Sequence, residues 1–499
     1  MSFYLPADCL NEIFEYLEDD KITLRSCLLV NRLWCEIVVR ILWRNVWNFQ
    51  YSVYKPYRRI HVPLTLIRTL ISCLPNESKD LLYENEIFIT NSTRKPSFFN
   101  YASFCKVLSI HEIDQMIQYV LEKHQSITSR KLSLNYNKYL LSQEILKMFM
   151  NEISSLKSLD YGSSCSKKVE NIMFTYLPGA KNCLTDLTKL SCSSEIYSEF
   201  FYQISQICHN IQSLIIKFGD FISDGLADLI TLQNNLKILT LQSYDEGNGI
   251  CGIYSITSSL NKFSLSLTKL KIDNSYIPLS FISIFKNLQE LSFFFEFKEG
   301  LEDFTQLQYV KFPNLKILRF LYEYPKAEIL MKFLEINGKN LEELYIFDND
   351  NSLNLAIAKF CPNLKTLFTI FMDDEIETLK ILLKSCQYLE SIKIWCGGGE
   401  YLNEKELLEI IAKYSPKNFY ELKINYIYYT RSEIIPEDLE SFFLNWKNRL
   451  PQKPLSLILI KNYESISLEV NEGNMEVIEK YKRLGVIKKI KIQEFEEEE

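Results

Sequence analysis

A six-residue pattern, apolar-x-x-apolar-x-apolar, returns along most of this chain. Its clearest copies are Leu236/Leu239/Leu241, Leu267/Leu270/Ile272, Leu288/Leu291/Phe293, Leu315/Leu318/Phe320, Leu341/Leu344/Ile346 and Leu389/Ile392/Ile394. With weaker copies on both sides, the middle residues fall at 108, 132, 159, 190, 214, 239, 270, 291, 318, 344, 367, 392, 422, 458 and 490. These units lie about 27 residues apart, a period at which each repeat is one supersecondary unit. Each carries a short alternating strand, and the stretches at 327–335, 375–384 and 404–412 place apolar residues three and four apart, the spacing of a helix. One strand and one helix cannot bury their apolar faces alone, so the units must stack, with parallel strands joined by right-handed crossovers. The steps are unequal, and Ser129 and Thr369 fill anchor positions, so uneven rungs are expected.

Composition limits what such a stack can serve. With 47% hydrophobic and 24% charged residues, the 499-residue chain has ample material for a core and is not a disordered one. Its 56 basic and 63 acidic residues leave a net charge of -7, the wrong sign for a phosphate-backbone partner, so no nucleic acid is expected. Apolar runs such as 27–30 and 457–460 fall far short of the roughly 20 residues that cross a bilayer, so no membrane is expected. The start of the chain shows no basic region, apolar segment and cleavage site in series. The 13 cysteines are scattered and none forms a Cys-x-x-Cys pair, which reads as reduced thiols in the cytoplasm and/or nucleus.

Residues 1–47 do not follow the period. Leu10, Ile13, Phe14 and Leu17 make an i, i+3, i+4, i+7 stripe that Pro6 and Asp8 start, and residues 18–21 break it. Leu24, Cys27 and Leu28 make a second apolar face; Trp34, Ile37, Val38, Ile41 and Leu42 make a third, closing with Trp43. Three short helices in under fifty residues are too small to bury a complete core and need a partner surface.

These residues carry two resemblances. The repeats resemble the leucine-rich-repeat family, in particular its cysteine-containing class, where a Cys ends the helix three residues before the first Leu. Cys208-His209-Asn210-Ile211, Cys361-Pro362-Asn363-Leu364 and Cys386-Gln387-Tyr388-Leu389 fit that turn, and Pro313-Asn314-Leu315 and Asn340-Leu341 keep parts of it. The opening segment resembles the F-box: Leu5-Pro6-Ala7-Asp8, the Leu10/Ile13/Leu17 helix, Val30-Asn31-Arg32-Leu33-Trp34 and Leu42-Trp43. Asp8 stands where Glu is usual, and Ile22-Thr23-Leu24 replaces the common Asp-Leu. The resemblances imply an α/β chain with an N-terminal three-helix F-box at 1–47, a linker or repeat cap at 48–100, an irregular leucine-rich-repeat solenoid at 101–493, its curved parallel sheet backed by outer helices, and an acidic tail at 494–499. They also imply a function, the substrate-recognition subunit of a Skp/cullin/F-box ubiquitin ligase, with the chemistry left to other subunits. By carry-over Leu5, Pro6, Leu10, Ile13, Leu17, Leu28, Val30, Trp34 and Trp43 are the adaptor-binding or F-box-core candidates, with Pro6 and Leu10 foremost. The alternative is a non-ligase repeat scaffold or sensor whose opening helices are a cap.

Motifs for chemistry are present but poorly placed. Gly247-Asn248-Gly249-Ile250-Cys251-Gly252 satisfies G-x-G-x-x-G, yet Asp245 and Glu246 put negative charge where a pyrophosphate would sit, and both flanking strands already belong to the repeats. Gly397-Gly398-Gly399 lacks a following Gly-Lys-Ser/Thr and reads as a strand exit. The four histidines, His61, His111, His124 and His209, form no zinc pattern with the cysteines. The aromatic, basic stretch at 51–63 reads as a solvated linker, and the run at 494–499 as a solvated end. No cofactor, metal or enzymatic activity is expected.

Side chains alternate along a strand, so the position after the third anchor faces away from the repeat core. It reads Lys217, Gln242, Asp273, then Phe294, Leu321, Phe347, Ile370 and Trp395, then Asn425. At about 4.8 Å per strand, the five apolar residues would form a stripe of about 20 Å on a face otherwise wet. An exposed apolar stripe with aromatic members is the expected client-binding surface; the alternatives are that a loop or the C-terminal tail covers it, or that the register is off by one.

Overall fold

A computed structural model describes residues 5–47, 61–87, 97–124, 131–162, 173–243, 253–274, 277–347, 349–397, 399–449 and 453–495. The chain divides into two compact units, Met1–Lys262 and Phe263–Glu499. The first opens with three helices, α1 (Ala7–Glu15), α2 (Lys21–Cys27) and α3 (Arg32–Leu42). Asp20 caps α2 by accepting from the Thr23 amide at 3.0 Å, and Asn31 caps α3 by accepting from the Trp34 amide at 2.9 Å. Each satisfies an amide that the first helical turn leaves open.

Strands β1 (Val107–Ser109), β2 (Ser158–Tyr161), β3 (Lys189–Ser193), β4 (Ser213–Phe218) and β5 (Ile238–Ser243) follow in this unit. They pair in parallel and in chain order, with Leu108, Leu159, Leu190, Leu214 and Leu239 side by side. The second unit holds β6 (Lys269–Asp273), β7 (Glu290–Phe295), β8 (Ile317–Tyr322), β9 (Glu343–Ile346), β10 (Thr366–Phe368), β11 (Ser391–Cys396), β12 (Glu421–Tyr426), β13 (Leu455–Lys461) and β14 (Ile487–Glu494). Its anchor row runs Leu270, Leu291, Leu318, Leu344, Leu367, Ile392, Leu422, Leu457, Ile490, again parallel and in order. This is the leucine-rich-repeat solenoid fold.

The connecting segments differ from rung to rung. The stretches at 327–335, 375–384 and 404–412 are parts of Ala327–Asn337, the pair Asp373–Glu375 and Ile376–Ser385, and Glu404–Tyr414. After β6 and β7 the connections are instead the 3₁₀ segments Leu279–Ile284 and Lys298–Leu307. A 3₁₀ helix rises about 2 Å per residue against 1.5 Å for an α-helix, which suits the six-residue segment after β6 to the short step of 21 residues from Leu270 to Leu291; the step after β7, Leu291 to Leu318, is 27 residues, as long as the helical ones.

Two strand positions differ from the sequence reading. The unit centred on Leu132 is not a strand: Lys131–Glu152 is one helix of 22 residues. Two leucines and a Ser at the first anchor are outweighed by the helical spacing of Leu141, Ile145, Leu146 and Phe149, all buried. At β13 the anchor is Leu457 rather than Ile458, since Leu457 lies between Leu422 and Ile490. Every residue from Leu455 to Ile460 is buried, so alternation carries no phase there, and the ladder shifts between Leu455 and Ser456.

Buried groups tie rung to rung. Cys208 Sγ donates to the Leu184 carbonyl at 3.0 Å and Cys386 Sγ to the Cys361 carbonyl at 3.4 Å. Burial pushes both thiols up to about 12, so they stay uncharged at neutral pH. The buried Asn337 amide accepts from the Phe312 amide at 2.8 Å and donates to the carbonyls of Val310 and Phe333. Gln233 does the same for Ile211, Cys208 and Leu229. In the second unit Phe293 and Phe320 stack at 5.2 Å, and Phe304 meets Phe320 and Phe333 edge-on or tilted at 5.6 and 5.3 Å. A side chain at Gly338 would strike the Phe360 carbonyl and Cys361 Sγ at 2.7 and 2.8 Å, so the helix can approach that turn only without one.

Candidate functional site

The opening helices form a small core from Leu10, Phe14, Leu24, Cys27, Ile37, Val38 and Ile41, with Leu17, Leu28, Trp34 and Leu42 packed at its edge. Phe14 and Trp34 meet edge-on at 5.0 Å. The sequence candidates therefore separate. Leu10 is buried inside the three-helix core, Leu17, Leu28 and Trp34 line its edge, and Leu5, Pro6, Ile13 and Val30 lie open. Tyr16, Ile22, Leu29 and Leu33 are open as well; Leu29 is 88% exposed and Ile13 46%. These four were not among the candidates, though Ile22 and Leu29 could have been found as apolar residues off the buried face of α2.

The other side of the segment is fastened to the repeats. Arg44 donates through both Nη atoms to the two oxygens of Glu15 at 2.5 Å. Its carbonyl accepts from the amides of Lys106 and Val107, at the entry to β1. The guanidinium holds the Glu15 carboxyl below the usual carboxylate range. Trp47 Nε1 donates to the Val107 carbonyl at 2.7 Å, and Trp43 lies 4.4 Å from the ring of Tyr101. Trp43 is thus half-buried on the junction rather than part of the open face.

The second site is the row that follows the third anchors. Asp273, Phe294 and Leu321 are neighbours in the ladder, as are Trp395 and Asn425. Phe294 and Leu321 are half-buried and Phe347 is 37% exposed. Ile370 and Trp395 are not open: they are buried with Phe368, beneath Tyr345, Tyr401, Ile427 and Phe495. The expected continuous open stripe is therefore interrupted at its last two rungs. Phe495, placed by the sequence in a solvated end, lies 6.2 Å from Trp395, and its neighbour Glu494 still belongs to β14.

Around these rings sits a cation. Lys393 is 7% exposed, with its ammonium 4.8 Å from the Phe368 centroid, 5.4 Å from Phe495 and 5.5 Å from Tyr345. Nothing in the sequence marked it, because a lysine between strand anchors reads as solvated.

Near this row, a cavity of about 350 Å³ is lined by residues including Cys396, Tyr401, Glu404, Tyr426 and Ser432. Glu404 accepts from Tyr426 and, at 2.5 Å, from Ser432; burial raises its carboxyl above the usual range. Gly397, at φ +96°, turns the chain out of β11 beside Thr430, as a strand exit. The glycines at 247–252 lie outside the described residues, as do residues 48–60 of the basic linker. Among the described residues no group of three or more His, Cys, Asp or Glu is placed to hold a metal. No helix among them is long and apolar enough to cross a membrane.

Residues 3–48 match the F-box-like family model. The opening segment is an F-box-like domain. A search of curated proteins returns no match. Among solved structures, the chain is similar to one in the crystal structure of the Rad7 and Elc1 complex in yeast, with 15% identity and a TM-score of 0.38 over 74% of this chain and 85% of that one. A second similarity is to one in the mouse RP105/MD-1 complex, at 12% identity and a TM-score of 0.30 over 67% of this chain and 75% of that one.

Proposed function

We propose that this chain is the substrate-recognition subunit of a Skp/cullin/F-box type ubiquitin ligase. The F-box-like domain docks on a Skp-type adaptor, the repeats hold a protein client, and the transfer chemistry belongs to the other subunits. The observation that carries this reading is that Leu5, Pro6, Ile13, Ile22, Leu29 and Val30 all stand exposed on a domain that is already fastened to β1 by other residues. A cap would need only the fastened side. Six apolar residues left to water on so small a domain suit a docking surface, and desolvating them supplies binding energy. Leu10 contributes by holding α1 in place, and Pro6 and Ile13 by contact. The cytoplasm and/or nucleus, where cullin ligases act, suits the buried free thiols.

Co-purification of the full chain with a Skp-type adaptor tests this. The expected result is a one-to-one complex that Ile13→Asp abolishes while the chain stays folded. A folded chain that binds no adaptor would remove the reading.

A further inference from the structure

Three features mark the β10–β12 surface. The first is the Lys393 ammonium, buried among aromatic rings with Phe495 as one wall. The second is the indole Nε1 of Trp395, which is 5% exposed, and the third is Nδ2 of the fully buried Asn425. Trp395 and Asn425 face each other across β11 and β12, and both nitrogens are buried without a hydrogen-bond partner among the described residues. A buried donor left unpaired is costly, so a site with two of them beside a cation calls for acceptors carrying negative charge. Lys423, paired with Lys393 in the ladder, lies on the next rung with its ammonium 3.6 Å from Glu421 Oε1.

The same surface already holds an aromatic ring. Phe495 rests on Trp395 and Lys393, and in the sequence it is preceded by Glu494 and followed by four glutamates. A ring between carboxylates thus sits on a site of rings, N–H donors and lysine. We infer that the surface formed by Tyr345, Phe368, Lys393, Trp395 and Asn425 is a receptor site for a protein segment in which an aromatic residue is flanked by carboxylates, and that Phe495 is its internal occupant. The ring of such a segment replaces Phe495 against Trp395 and Lys393, and its carboxylates take Lys393 and the unpaired donors. This inference rests on the client-capturing reading of the repeats and gives it a chemical class.

Self-occupancy weakens an outside ligand by the fraction of time the site stands open; if that fraction is about a tenth, freeing the site strengthens binding about tenfold. The probe is a fluorescent peptide of residues 493–499, Gln-Glu-Phe-Glu-Glu-Glu-Glu, titrated into the full chain and into Phe495→Ala. The expected result is binding about tenfold tighter to F495A, lost when Lys393→Met is added or when the peptide's Phe is replaced by Ala. Should F495A unfold, the wild-type chain with excess peptide gives the answer: hydrogen exchange over 487–495 rises if the internal segment is displaced. Equal binding by both chains, no displacement, or equal competition by polyglutamate or a single-stranded oligonucleotide would overturn the inference. The assay contains no adaptor. A chain that binds adaptor but not peptide removes this site alone, and one that binds peptide but not adaptor removes the ligase reading alone.

Discussion

In the opening helices Ile13, Ile22, Leu29 and Val30 stand in water above a small core, whereas the second unit closes Phe293, Phe304, Phe320 and Phe333 away completely and lays Phe495 over Trp395 as well. Both regions are rich in apolar residues. The difference lies in what each has available to cover them. A repeat has the next repeat, so its apolar face is matched at every rung by a copy of itself. The three helices have too little chain for that, and the contacts that follow them go to the first repeats, through Arg44 and Trp47 at β1 and through Trp43 at Tyr101. Apolar surface left over after both arrangements is surface for another molecule.

Substitutions that act on one region alone would sharpen this contrast. The largest effect on folding is expected from Phe320→Ala, which opens a cavity among stacked rings and costs about 3–5 kcal/mol in denaturant unfolding, with adaptor binding unchanged below the transition. Asn337→Ala leaves the Phe312 amide and the Val310 carbonyl without their partner, and a loss of about 1–3 kcal/mol is expected by the same measurement. Ile13→Asp with Leu29→Asp touches open residues only. Unfolding should move by no more than about 0.5 kcal/mol, while adaptor affinity, read by calorimetry, falls at least about 30-fold, the scale of a hot-spot loss. A large stability loss there would mean that the face is internal after all.

The smallest effect concerns pH. Burial raises the Glu404 carboxyl, so the folded state binds its proton more tightly than the unfolded chain does. Its contribution to stability is complete below the ordinary carboxylate range and is lost as pH rises through the raised value. The urea midpoint of the second unit should fall as pH rises above the ordinary carboxylate range, by an amount that Glu404→Gln removes. An unchanged slope in E404Q would place the dependence elsewhere.

The anchor rows were legible in the sequence because a leucine every three and then two residues leaves few other arrangements. The rule failed where that signal was weak or doubled: around Leu132, where a longer helical spacing overrode two leucines, and at Ile458, where both faces of the strand are apolar. In the opening segment the pattern named the apolar residues but not their side. Leu10 and Val30 look alike as letters, and only the packing of α1 on α3 separates a core residue from an open one. Of the Lys393 surface the sequence offered only that the C-terminal tail was one alternative cover for the stripe; which residue meets which, Phe495 on Trp395 across 100 residues of chain, was not legible. A glutamate-rich run conceals a phenylalanine when composition is read residue by residue.

Hydrogen exchange of the full chain, alone and with a Skp-type adaptor, tests the central claim most directly. The account predicts strong new protection at residues 5–16 and 22–33, with the strands of both units unchanged. Protection confined to the repeats, or none in the opening helices at saturating adaptor, would contradict it.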